Sequence, residues 1–150
     1  TTLAQAALDE GTFDVVLMMN VIEHLHDPTA ALRHVHRLLK PGGVLVVETP
    51  RLDNWTFRLL GARERNIACE GHVCFFTTRT LSALAKKVGL AVLRCDAVGR
   101  SLTVDRLLWQ AGLVSRLPRL QRLLHAVSRA CRLDALRLTL NLRDIQRIYL

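Results

Sequence analysis

The chain has 150 residues, half of them hydrophobic, with 21 Lys and Arg against 13 Asp and Glu for a formal charge of +8. That length supports one domain with a sizeable core. No apolar run approaches the ~20 residues that span a bilayer and no charged-then-apolar leader opens the chain, so a soluble α/β domain is expected. The first residue is Thr1 rather than Met, which points to sequence missing upstream.

The charge is unevenly spread. Residues 1–50 carry three basic and six acidic side chains, and residues 51–150 carry eighteen and seven, nearly all the basic ones arginine. Such a basic half is either a solvated surface or a face for nucleic acid, anionic lipid or an acidic substrate. The four cysteines (Cys69, Cys74, Cys95, Cys131) form no CxxC and no regular framework. That is the pattern of free thiols in a reducing, cytoplasmic compartment.

In chain order, Phe13 to Met19 is a continuous apolar run bounded by Gly11 and by polar residues, as in a central parallel strand buried on both faces. Asp27-Pro28 supplies an N-cap and a first helical residue. Ala31, Leu32, Val35, Leu38 and Leu39 follow at helical spacing, so the pattern predicts a helix from Pro28 to about Lys40. Pro41-Gly42-Gly43 should stop it and turn the chain into a second strand, Val44 to Glu48, closed by Thr49-Pro50. Strand, helix, turn and strand make a βαβ unit.

Arg51 to Val73 reads as a long loop, and loops of this length usually carry function. Phe76-Thr77 can staple and cap a helix through Leu81, Leu84, Ala85 and Val88, ended by Gly89, and Leu90 to Val98 reads as a third strand. Residues 103–137 change character: leucines at helical spacing, broken near Pro118 and accompanied by Arg119, Arg122, Arg129 and Arg132, predict two basic amphipathic helices, a lid or a surface anchor. Ile145 to Leu150 reads as a last strand.

In open α/β sheets ligands bind beyond the carboxyl ends of the strands. Both "NVIEHLHDP" and "ETPRLDNW" lie at such ends. The stretch "FDVVLMMNVIEHLHDPTAALRHVHRLLKPGGVLVVETP" resembles the fourth strand, following helix and fifth strand of class I S-adenosylmethionine-dependent methyltransferases. "GHVCFFTTRTLSALAKKVGL" is similar to the segment leading to their sixth strand. The resemblance covers about residues 10–98 and implies an α/β fold, the C-terminal portion of a Rossmann-like methyltransferase sheet (strands four to seven). The last strand would be antiparallel and S-adenosylmethionine the methyl donor. The family's glycine-rich loop and the acidic residue closing its second strand have no counterpart here, since no GxGxG occurs. The expectation is therefore a C-terminal part of a methyltransferase: residues 1–102 as core, 103–137 as a basic helical insertion and 138–150 as the last core strand.

The resemblance implies that Met19, Asn20 and Val21 lie against the methionine part of the cofactor. Met19 and Val21 also fit as strand-end core residues, and Asn20 as a buried amide in need of partners. Three readings are open for Glu23 and His24. His24 is a general base toward an acceptor hydroxyl; or the two bind a divalent metal with His72; or Glu23 accepts backbone hydrogen bonds while His24 packs under the helix. The metal reading comes from a likeness to small-RNA and ubiquinone-pathway O-methyltransferases, in which a Glu-x-x-Glu-His run holds magnesium. Asn20 stands where the first glutamate should be, and that loss weakens a hard-cation site. His72, at the end of the long loop, is a further catalytic candidate, and His26 flanks the site. Thr49, Pro50, Arg51, Asn54 and Trp55 follow the second strand and are candidates for the acceptor pocket by position.

Two classes of function follow. One is methyl transfer to an oxygen of a small-molecule, sugar or lipid-linked acceptor. The other is a non-catalytic methyltransferase-like module whose basic helices dock on RNA, an anionic membrane or a protein partner. A nicotinamide-dependent enzyme of the same general fold would also need a glycine-rich turn and gives no reason for the Glu-His pair.

Overall fold

The computed structural model describes residues 8–61, 64, 66, 67, 69–104, 118–133 and 136–150. They form two compact units, one ending at Val98 and rejoined by Arg143–Leu150, the other Gly99–Leu142.

In the first unit, β1 is Phe13–Met19, followed by a 3-10 turn at Ile22–His24, α1 at Pro28–Leu38 and β2 at Leu39–Pro50. Then come α2 at Trp55–Leu60, α3 at Thr78–Lys87 and β3 at Arg94–Ala97, with a returning strand at Ile145–Tyr149. The returning strand, β6 in chain order, lies between β2 and β3, so the sheet runs β1-β2-β6-β3. β1 and β2 are parallel, and β6 is antiparallel to both its neighbours, as expected of the last strand.

Sequence explains the helix starts directly. The Asp27 carboxylate accepts the Ala30 N–H at 2.8 Å with Pro28 in the first turn. Thr77 and Thr80 close a reciprocal capping box on α3. Each such cap stabilises by ~1 kcal/mol. The helices bury Leu32, Val35, Leu81 and Ala85 against Leu45, Val47 and Ile148 of the sheet, with Ile22 of the 3-10 turn in the same core. Each such aliphatic side chain contributes ~1.5–3 kcal/mol through water exclusion.

Four features depart from expectation. β1 is not buried on both faces: only Met18 is buried, while Val15 and Leu17 are 54% and 65% exposed. Among the described residues it is the sheet's edge strand, so nothing covers its free side. Second, α1 ends at Leu38 and β2 begins at the next residue, so Pro41-Gly42-Gly43 is not a separate turn. The register slips between Phe13 and Val15, and the two glycines absorb it. Gly42 has φ +80°, and a Cβ on Gly43 would lie 3.0 Å from the Phe13 carbonyl. Third, the loop after β2 contains α2, capped by the Asn54 side chain on the Phe57 N–H. Fourth, the third strand is shorter than expected, Arg94–Ala97, with flanking bonds from the Leu93 and Val98 N–H groups to the Tyr149 and Ile145 carbonyls. Leu90 still belongs to the helix exit, its N–H on the Ala85 carbonyl.

The second unit holds β4 at Arg100–Thr103, α4 at Pro118–Ala130 and β5 at Arg137–Leu140. β4 and β5 form a two-stranded antiparallel ribbon. Residues 100–102 and 138–140, read from sequence as ends of the core, pair with each other instead, and only Ile145–Tyr149 joins the core sheet. The first of the two expected helices, with Leu107, Leu108, Leu113 and Leu117, lies outside the described residues. Among the described residues no helix is long and apolar enough to cross a membrane.

Candidate functional site

The site forms where β1 ends. Asn20 takes a left-handed backbone, φ +52°, while its N–H still donates to the Glu48 carbonyl at 2.8 Å. Asparagine tolerates that conformation better than most residues. The kink throws the chain into the 3-10 turn, which sends Ile22 and Glu23 inward and His24 outward.

Glu23 is 1% exposed. Its Oε2 accepts the Thr49 hydroxyl at 2.8 Å, and Oε1 is buried without a hydrogen-bonding partner. Its backbone carbonyl accepts the N–H groups of Val73 and Cys74, at 2.9 and 3.0 Å. Those two bonds fasten the end of the long loop to the turn and bring His72 beside His24. The imidazoles meet edge to face, centroids 4.7 Å apart, and Phe75 backs the His72 ring at 6.3 Å.

Both rings are held by backbone carbonyls. His24 Nδ1 is 2.8 Å from the Gly71 carbonyl, and His72 Nδ1 is 2.7 Å from the Asn66 carbonyl. A carbonyl oxygen can only accept, so each Nδ1 carries a proton, and in the neutral ring the lone pair is left on Nε2. Glycine at position 71 suits this approach through its φ of +92°, which L side chains rarely adopt; a Cβ there would stand 3.5 Å from His24 Nδ1, an ordinary contact. Asn66 is set in place by Glu64, buried, whose carboxylate accepts the Asn66 N–H at 2.7 Å and its side-chain amide at 3.0 Å.

A ring nitrogen from each histidine and a carboxylate oxygen of Glu23 lie within 4.8 Å of one another. Two imidazoles and one carboxylate suit a borderline ion such as zinc, whereas magnesium takes oxygen ligands. Compared with the magnesium-holding run that the sequence resemblance implied, this set lacks the first carboxylate, and Asn20 offers no charged oxygen in its place.

The structure thus gathers Glu23, His24, His72 and Thr49. The remaining candidates fare differently. Asn20 is exposed rather than a buried amide, its identity explained by backbone conformation. Met19 and Val21 are exposed at the strand end rather than core residues. Glu23 accepts a side-chain hydroxyl, and His24 does not pack under the helix but stands exposed. Thr49 is fully buried on Glu23, and Pro50 is buried. Arg51 pairs with Asp53 at 2.6 Å, which raises the guanidinium pKa and lowers that of the carboxylate. Asn54 is occupied as the α2 cap, its amide donating to the Arg51 carbonyl, while Trp55 and His26 are exposed. Sequence reasoning missed Glu64, Asn66 and Gly71. Two of these act through backbone carbonyls, and the one available signal was the Glu-x-Asn spacing of a local turn.

A cavity of about 410 Å³ lies at the opposite end of β2, lined by His36, Leu39, Lys40, Gly43, Leu90 and Leu150. It contains none of these candidates.

Comparison with known proteins accords with this geometry. The methyltransferase domain family matches residues 2–94. A ubiquinone biosynthesis O-methyltransferase of Ruegeria pomeroyi is 44% identical over 64 residues, 41% of this chain and 26% of that protein. A tRNA U34 carboxymethyltransferase of Syntrophotalea carbinolica is 36% identical over 94 residues, 63% of this chain and 28% of that protein. The chain thus spans roughly a quarter of the length of either relative. Among solved structures, a S-adenosylmethionine-dependent methyltransferase of Thermotoga maritima, titled a possible histamine N-methyltransferase, superposes with TM-score 0.59 at 20% identity. The superposition covers 99% of this chain and 60% of that one. With a parallel β1-β2 pair, an antiparallel last strand between β2 and β3, and this family match, the chain belongs to the class I S-adenosylmethionine-dependent methyltransferases.

Proposed function

We propose that this chain is the acceptor-side part of a longer methyltransferase that methylates an oxygen of a small-molecule, sugar or lipid-linked acceptor, with His24 taking the acceptor's proton. The observation that carries the reading is the His24 ring itself. It is exposed at the strand ends, locked by its Nδ1–H on the Gly71 carbonyl, with the Nε2 lone pair left for a proton. Removing a proton from an alcohol or phenol as it attacks is general-base catalysis. His72 fixes the ring edgewise, and the Glu23 carbonyl holds the loop that supplies both partners.

When bound, S-adenosylmethionine supplies an electrophilic methyl group on a sulfonium. The exposed Met19 and Val21 side chains suit the methylene chain of its methionine arm, with Asn20 between them. The exposed edge of β1 supports a fold completed by strands outside these 150 residues. The unit ending at Val98 with Arg143–Leu150 then serves as the methyl-transfer fold, and Gly99–Leu142 as an insertion before its last strand. That a relative is named a ubiquinone biosynthesis O-methyltransferase favours an oxygen acceptor.

The test is calorimetric titration of S-adenosylhomocysteine into the 150-residue chain and into a polypeptide extended toward the amino terminus. Binding by the extended form alone supports the reading; silence from both overturns it.

A second reading rests on the Glu23, His24 and His72 cluster with its unpaired buried Oε1. Those three side chains would hold a transition ion, which would occupy ring nitrogen that the base reading keeps free. Cobalt(II) absorption bands that appear on titration and vanish in His72→Ala would favour it.

A further inference from the structure

The second unit carries a surface that methyl transfer leaves unused. Residues 99–142 include eight arginines and two aspartates. On α4, Arg119, Arg122 and Arg129 are exposed along one side. Leu123 and Val127, one turn apart, are 60% and 51% exposed, and Leu124 beside them is exposed too. Their 100° steps place these three on one side of the helix, Leu123 about 40° from Arg119 and so bordering the arginines, Val127 and Leu124 farther round. The helix packs inward elsewhere, since Ser128 is buried. Leu133, Leu136 and Leu138 of the same unit are exposed as well. Among the described side chains of α4, Ser128 is the buried one, while Leu123, Leu124 and Val127 are exposed.

We infer that α4 is a peripheral docking helix for an anionic lipid bilayer. Leu123, Leu124 and Val127 enter the outer acyl region, and Arg119, Arg122 and Arg129 engage lipid phosphates. A basic amphipathic helix of 13 residues, about 20 Å long, lies in the interface rather than crossing it. Charge selects the occupant. A second copy of this chain would bring like-charged faces together across the contact. Nucleic acid would use the arginines but give the leucine row nothing to exclude from water. A bilayer with anionic headgroups satisfies both halves of the helix, and guanidinium is well suited to phosphate. The inference does not depend on the methyl-transfer reading.

The test is flotation of the 150-residue chain with phosphatidylcholine vesicles, with and without phosphatidylglycerol. Binding only when phosphatidylglycerol is present, weakened by salt, is expected. Leu123→Glu with Val127→Glu should abolish it, with circular dichroism unchanged because both positions are exposed. Arg119→Gln and Arg129→Gln should each weaken partitioning about fivefold. No flotation, equal flotation on neutral vesicles, or full flotation of the Leu123→Glu, Val127→Glu variant would overturn the inference. So would a dimer in sedimentation that this variant dissolves, or RNA binding that it retains while vesicle binding is absent.

Discussion

Replacing Thr49 by valine removes one hydroxyl and almost nothing else, at a position with no exposed surface. That hydroxyl is the donor to Glu23 Oε2, and Oε1 already lacks a partner. A hydrogen bond to a charged group contributes ~1.5–3 kcal/mol, and a buried acceptor left unmade costs a similar amount. Thr49→Val should therefore cost about 2–3 kcal/mol. Glu23→Gln keeps an acceptor oxygen and buries no charge, so it should change stability by less than ~1.5 kcal/mol in either direction. In the Glu23→Gln background the threonine bond is neutral and the valine substitution should cost only ~0.5–1.5 kcal/mol. The coupling between the two substitutions is then about 0.5–2.5 kcal/mol. Urea unfolding followed by circular dichroism would show the loss as a midpoint shift of about 1 M for a slope of ~2–3 kcal/mol/M. A cost below ~0.5 kcal/mol for Thr49→Val, or strict additivity, would refute the view that this hydroxyl sustains the buried carboxylate.

Long-range proton–nitrogen spectra should show His24 and His72 protonated on Nδ1 when neutral; the Nε2–H tautomer in either would remove the basis for a free Nε2. Gly71→Ala should cost ~1–3 kcal/mol from its φ of +92° and should alter the His24 nitrogen shifts; unchanged shifts would mean the carbonyl does not hold that ring. Asp27→Ala should cost ~1 kcal/mol of thermal stability through the lost cap. The Asp53 carboxylate is held below its ordinary pKa first by its hydrogen bond to Arg51. Its contribution is thus present above the unfolded pKa and lost as pH falls through the folded one. Asp53→Asn should therefore be slightly less stable than the parent at neutral pH and equal to it in acid; a gap that widens toward acid would contradict that sign.

Much of the fold was legible because local chemistry and global pattern agree. Asp27-Pro28, Phe76-Thr77 and the apolar spacings placed both core helices within two residues of their ends. What was hidden has specific causes. Burial of β1 depends on what lies beside it, and an apolar run reads alike at the centre or the edge of a sheet. The ribbon of β4 and β5 pairs segments more than thirty residues apart, and neither four-residue strand carries a signal strong enough to separate it from the core. At the site, the sequence named Glu23, His24 and His72 but not their burial. Whether a glutamate in a one-turn 3-10 segment points in or out is decided by the Asn20 backbone. The anchors of the histidines are carbonyls of Asn66 and Gly71, and any residue has a carbonyl.

The placement of β6 has a consequence for how the protein is made. It is inserted between β2 and β3, yet most of the chain is made between β2 and its arrival. At ~5–20 residues per second, the roughly 100 residues between them keep the β2 edge waiting about 5–20 s. During that interval Val46 to Pro50 present an unsatisfied ladder to the cell, a template for foreign strands. Vectorial synthesis thus delivers the strand between β2 and β3 after both of its neighbours, and the β2 edge is covered only when that strand arrives.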